Sequence, residues 1–244
     1  MEIVKIKLLV LIASLIISTA YFTTSVFSQG YVFVDLKPYV NSKIVNTQWW
    51  TGNAGSSDLE ELLDKAKNGA EFEMTWGEKV PFKIIDGNIR LYGTNSAGNP
   101  KSVEGIKVNL KAKSVYFVHM TGWENAGAPS YKFVMNYDDG SKQELLMETH
   151  KNSDDWCHIP AQLQDKNTCQ FWKESGVTCG TVSVLATKWD NPQPNRAIKT
   201  IDAISLETAA VPGIFAITLG GASAPVDPKN KLAMMWGHIK SENR

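Results

Sequence analysis

The sequence predicts an all-β protein, an antiparallel β-sandwich with one short helix. Three observations carry this. β-Branched and aromatic residues gather in short runs that alternate with other types, Gly, Pro, Asn and Asp separate those runs, and neither alternating strand–helix–strand units nor an internal repeat is visible. The clearest stretch is residues 111–147, which reads as strand, long loop, strand, tight turn, strand. Residues 114–120 and 131–137 have the pattern of strands with one buried face. The turn Asp138-Asp139-Gly140-Ser141 supplies the positive φ angles of a two-residue hairpin, so 131–137 and 142–147 should lie antiparallel.

In chain order, Lys5 and Lys7 precede an apolar run at 8–17 and then Ser18, Thr19 and Ala20, the layout of a secretory signal cleaved after Ala20 or Ser28. The uncharged stretch 8–27 is also about long enough for an uncleaved anchor, but its Ser, Thr and Tyr content favours cleavage. The expected organisation is a leader over 1–28, a sandwich domain over 29–220 and a tail over 221–244. No segment after the leader reads as a membrane span, and the expected location is secreted, periplasmic or cell-surface. Residues 31–36 open the mature domain, and Pro38 ends regular pairing there. The loop at 47–57 holds Trp49 and Trp50, of which at most one can enter the core if the chain is extended. Leu59, Leu62, Leu63 and Ala66 share one face of a short helix with Glu60 and Glu61 in its first turn, so that acidic cluster answers the helix dipole and does not mark a metal site.

Short strands follow at 71–74, 82–85 and 88–92, and a half-buried one at 103–110. Beyond the hairpin, 151–168 reads as a polar insertion, and the last strands are 170–173, 179–189, 197–206 and 211–219. The continuous apolar character of 211–219 predicts burial on both faces. The tail carries a weak apolar patch at 232–236, which reads as an added helix, a linker or a contact with another subunit.

Lysine plus arginine equals aspartate plus glutamate at 25 each, and there is no basic run, which argues against a nucleic-acid binder. Cys157, Cys169 and Cys179 predict one disulfide and one remaining thiol in an oxidising compartment, with the pairing left open. There is no CxxC pair, and His150, His158 and His238 show no ligand spacing, so no metal site is predicted. The chain also has no G-x-S-x-G, P-loop or strand-following GxGxxG. His119, inside an apolar strand with Phe117 and Thr121 on its own face, reads as a hydrogen-bonded histidine of the sandwich.

A sugar site needs an exposed aromatic plane to stack on pyranose C–H faces and amide or carboxylate groups at its rim. Three loops offer this: Trp49-Trp50, Trp123-Glu124-Asn125 and Asp154-Asp155-Trp156. Trp123 and Asn125 lead, because their loop joins two well-marked strands. Asp154 and Asp155 suit calcium or sugar hydroxyls, against the plainer reading of a solvated loop. Asp138 and Asp139 belong to the hairpin turn, and Trp76 and Trp189 read as structural.

Five pieces in order carry a family resemblance: Val34-Asp35-Leu36-Lys37-Pro38-Tyr39, Val80-Pro81-Phe82-Lys83-Ile84, Ser114-Val115-Tyr116-Phe117-Val118-His119, Tyr137-Asp138-Asp139-Gly140-Ser141, and Trp189-Asp190-Asn191-Pro192 followed by Ile198-Lys199-Thr200-Ile201-Asp202. In these the chain resembles the galactose-binding-like jelly-roll modules that accompany secreted carbohydrate-active enzymes, over roughly residues 32–218. The segment from Cys157 to Cys179 departs from that pattern. The resemblance implies a non-catalytic two-sheet jelly roll that binds carbohydrate or a cell-surface glycan, or acts as a spacer, in some members with a structural calcium. The alternatives are a structural or interaction subunit of an extracellular assembly, using Trp49-Trp50 and 232–236 as partner surface, and a jelly-roll glycan hydrolase or lyase.

Overall fold

The computed structural model describes residues 30–222 apart from 126, 158, 159, 161, 162 and 177. The expected leader, the apolar patch at 232–236, His158 and His238 lie outside these residues. Among the described residues the order of elements is β1 (Val32–Phe33), α1 (Glu60–Ala66), β2 (Ala70–Glu73), β3 (Lys79–Phe82), β4 (Ile89–Arg90), β5 (Ser102–Lys111), β6 (Ser114–Gly122), β7 (Pro129–Tyr137), β8 (Lys142–Glu148), β9 (Thr168–Glu174), β10 (Val182–Asp190), β11 (Ala197–Ser205) and β12 (Val211–Gly220). No helix among them is long and apolar enough to cross a membrane.

The strands form three antiparallel sheets. One runs β1-β12-β6-β10-β9, with β4 also on β12; a second runs β5-β11-β7-β8; β2 and β3 make a two-stranded ribbon. The first two face each other, as a sandwich requires. Val115 and Phe117 of β6 and Ile214, Ile217 and Leu219 of β12 meet Tyr131, Phe133 and Met135 of β7 and Ile201 and Ala203 of β11. Phe117 stacks on Phe133 with centroids 4.0 Å apart.

The six-stranded sheet is also covered on its outer face. Leu62, Leu63 and Ala66 of α1, Phe72, Val80 and Phe82 of the ribbon, and Trp49, Trp50 and Trp156 pack over Val118, Met120, Val182, Val184 and Phe215. The result is three layers. This corrects the expectation of one buried face for 114–120: every residue from Ser114 to Gly122 is buried, as is every residue of β12. Each large apolar side chain so enclosed contributes about 1.5–3 kcal/mol. By contrast β5 and β8, the edges of the four-stranded sheet, are only partly covered, and β5 has the half-buried pattern expected of it.

The β7–β8 hairpin pairs as predicted, with Val134 opposite Glu144. Its turn differs. Gly140 N–H donates to the Tyr137 carbonyl (3.1 Å), Tyr137 N–H to the Ser141 carbonyl (2.9 Å), and Gly140 has φ 85°, so the loop has three residues with glycine in the left-handed bulge position. Asp139 serves the turn, accepting from Ser141 N–H and pairing with Arg196. α1 presents the leucine face read from its spacing, although no side chain caps its first turn. Cys157 and Cys179 form a disulfide and Cys169 is a buried free thiol, which resolves the open pairing.

Candidate functional site

The three tryptophan-bearing loops converge at one end of the six-stranded sheet. Two glycines inside strands make room for them. A Cβ on Gly213 of β12 would lie 2.5 Å from the Trp49 ring, and one on Gly122 of β6 would lie 2.9 Å from the Trp50 Cβ. Glycine in a strand interior marks such close approaches of another group to the backbone. Trp49 meets Trp156 and Phe215 edge-on at 5.8 and 5.3 Å, and Trp50 lies 4.1 Å from Trp156 between centroids.

Trp49, Trp50 and Trp156 are all buried, Trp49 completely. The rule that one of Trp49 and Trp50 must face outward holds for an extended chain, and here both stand in a turn. They are therefore neither exposed stacking planes nor an open partner surface, which corrects those expectations. Trp123 is different: it is partly exposed, has φ 63°, and packs against the edge of the same aromatic cluster.

Trp50, Trp123 and Trp156 line a cleft of about 110 Å³, together with Asp155, Thr178 and the disulfide-bonded Cys157 and Cys179. Segment 153–157 is held in place by backbone bonds. The Asp154 carbonyl accepts from Thr121 N–H (3.0 Å) and Oγ1 (2.9 Å), Trp156 N–H donates to Thr121 (2.9 Å), and Ser183 N–H donates to Trp156 (2.9 Å). This stretch belongs to the segment read as a polar insertion, and it runs parallel beside the end of β6, with Asp155 bridged to Thr121. Asp154 is buried, which overturns the solvated-loop reading for that residue, while Asp155 is partly exposed at the cleft. Asn125 sits in the adjoining loop, its N–H on Thr149 Oγ1 (3.3 Å) and its amide on the Ala128 carbonyl (3.5 Å).

Beside the cleft, Glu124, His150 and Asp154 bring one donor atom each to within 4.8 Å of one another. His150 Nε2 lies 3.3 Å from Glu124 Oε2 and 3.9 Å from Asp154 Oδ1. Sequence spacing does not reveal this trio, because Glu124 comes from the β6–β7 loop and the other two from the β8–β9 segment. Calcium, which the family resemblance allows, takes six to eight oxygens and fits poorly to a trio that includes an imidazole nitrogen.

His119 has a different role. It is fully buried between the sheets, with Nδ1 2.6 Å from the Tyr131 hydroxyl and Nε2 2.7 Å from Thr187 Oγ1. Burial pulls its pKa down to about 3, so the ring is neutral and structural at ordinary pH. Trp76 donates to Glu78 (2.9 Å) and Trp189 packs against the inter-sheet core, both structural as expected. Burial pushes the Cys169 thiol up, away from thiolate chemistry.

Searches against protein families, curated proteins and solved structures find no match to this chain.

Proposed function

We propose that the chain is an exported, non-catalytic jelly-roll module of the galactose-binding-like type that binds carbohydrate weakly at the Trp123 cleft. The observation that carries this is Trp123 itself. Of the four tryptophans in the three converging loops it alone is partly exposed, and it borders a cleft walled by two buried tryptophans, with Asp155 and Thr178 in the same lining. An aromatic face beside a few polar groups, on a scaffold that holds it still, is what weak sugar stacking needs. The leader-like N-terminus and the Cys157–Cys179 disulfide fit an oxidising, extracytoplasmic setting. Trp49 contributes from the core, by fixing the position of Trp156.

The test is a glycan array followed by titration of the exported form with simple and polymeric sugars. Binding is expected, with Trp123→Ala weakening it about tenfold, which corresponds to about 1.4 kcal/mol. No binding to any sugar, or unchanged binding by Trp123→Ala, would remove the assignment. Turnover of an oligosaccharide in the same assay would favour the glycan hydrolase or lyase alternative, and a stable complex with another exported protein the interaction-subunit one.

A further inference from the structure

We propose that Glu124, His150 and Asp154 form a binding site for a zinc-class divalent metal ion, which clamps the β6–β7 loop onto the segment that follows β8. The donor chemistry is an imidazole nitrogen and two carboxylates, a set that suits zinc and its first-row neighbours. Around a tetrahedral ion with bonds of about 2.0–2.2 Å, neighbouring donors stand about 3.3–3.6 Å apart. His150 Nε2 to Glu124 Oε2 is 3.3 Å and to Asp154 Oδ1 is 3.9 Å, so a movement on the order of half an ångström brings the histidine pairs into that range.

The site combines a fixed floor with an adaptable rim. The Asp154 side chain is 0% exposed, whereas Glu124 and His150 are 41% and 42% exposed. Asp154 is anchored through its carbonyl to Thr121 and through Oδ1 to the Asp155 N–H (2.9 Å). His150 is held by its N–H on the Ser153 carbonyl (2.9 Å), in a loop further tied by Asn152 Oδ1 to the Glu148 N–H (2.8 Å). A carboxylate withdrawn from solvent is stabilised by a cation beside it, and a divalent ion is a large local charge. Three protein ligands leave a fourth tetrahedral position for water. Because Glu124 follows Trp123 directly, metal binding also fixes the loop that carries the cleft aromatic. The proposal does not depend on what that cleft binds.

The experiment is calorimetric titration of the chelator-treated full exported chain with Zn²⁺, and separately with Ca²⁺, alongside Co²⁺ absorption spectra. One saturable Zn²⁺ site is expected, with Ca²⁺ at least tenfold weaker and a tetrahedral Co²⁺ spectrum. His150→Asn, which tolerates the positive φ at this position, and Glu124→Gln should each weaken Zn²⁺ binding at least tenfold, while a His158→Ala, His238→Ala double variant should bind as the wild type does. Absence of a saturable site, Ca²⁺ binding as tight as Zn²⁺, or loss of binding in the double variant with His150→Asn unaffected would each overturn the proposal. Far-ultraviolet circular dichroism shows that each variant is folded before it is titrated.

Discussion

His119 and His150 carry the same imidazole into opposite surroundings. His119 lies between the two large sheets and meets only neutral hydroxyls, from Tyr131 at 2.6 Å and Thr187 at 2.7 Å, in a network that Thr187 extends to Thr168 at 2.9 Å. Burial alone keeps it uncharged. His150 sits at the sheet end, half exposed, with carboxylates on two sides. The sandwich interior uses its histidine as a neutral pin, and the loop end places one within reach of two carboxylates. Chemistry on this protein is therefore to be sought where the sheets stop.

The largest expected effect comes from removing the buried ring. His119→Ala leaves a cavity and takes the ring from the buried Tyr131 and Thr187 hydroxyls, and should destabilise the fold by about 3 kcal/mol. Urea denaturation would read this as a lower midpoint at unchanged slope. The pH dependence gives a second reading. The folded pKa of about 3 lies below the usual value of 6.5, so the unfolded chain takes up the proton first as pH falls. The contribution of neutral His119 is complete above about pH 6.5 and is lost as pH drops towards 3, by up to about 1.4 kcal/mol per pH unit. His119→Gln should flatten that acid limb. A wild-type acid limb no steeper than the variant's would break the contrast between the two histidines.

A middle-sized effect is expected at Glu174, which compares one buried carboxyl with another. Asp154 has His150 near it, whereas Glu174 on β9 lies against α1, close to Glu60 and Glu61, with Trp172 Nε1 donating to it at 2.6 Å. Burial first, and then the two glutamates, raise its pKa to about 7. A raised carboxyl favours folding below the unfolded pKa near 4.5, and that contribution is lost as pH rises through 7. Glu174→Gln should therefore stabilise the protein by about 2 kcal/mol at pH 8 and leave it unchanged at pH 4, measured by denaturation at the two pH values. Equal effects at both would show that the glutamate has the same pKa folded and unfolded, and that its burial does not raise it.

Much of the fold was legible in local sequence. The β7–β8 hairpin follows from Asp139-Gly140 between alternating runs, α1 from Leu59, Leu62, Leu63 and Ala66, and the two-sided burial of β12 from an apolar run without a charge. β6 is as deeply buried, yet Tyr116, His119 and Thr121 disguise it, because their polar atoms are satisfied by Glu78, Tyr131, Thr187 and the Asp154 carbonyl, all distant in sequence. The site was legible in pieces. Trp123, Asn125, Asp154, Asp155 and Trp156 can each be singled out from loop composition, but their meeting depends on segment 153–157 docking beside β6. The burial of both Trp49 and Trp50 depends on Gly213 and Gly122; Gly213 inside the apolar run 211–219 was a hint, whereas Gly122 falls beyond the strand read at 114–120 and gave none. Glu124 stands out only as part of the Trp123 loop, and nothing in the sequence marks His150 and Asp154 as its neighbours, since a trio drawn from two loops has no fixed spacing.

The smallest expected effect closes the comparison. In chelator-treated protein, His150→Asn removes only the contacts of a half-exposed ring with Glu124 and with the buried Asp154, and attraction at a half-exposed group is screened and offset by the entropy of holding side chains in place. Asparagine also accepts the left-handed backbone at this position, where φ is 67°. Stability should then change by less than about 0.5 kcal/mol, several times less than for His119→Ala. The same variant in the presence of Zn²⁺ should fail to gain the thermal stability that the wild type gains, because a ligand stabilises only a state it binds. A large loss without metal would mean that His150 is a structural pin like His119. Two different jobs for one side chain type would then reduce to one.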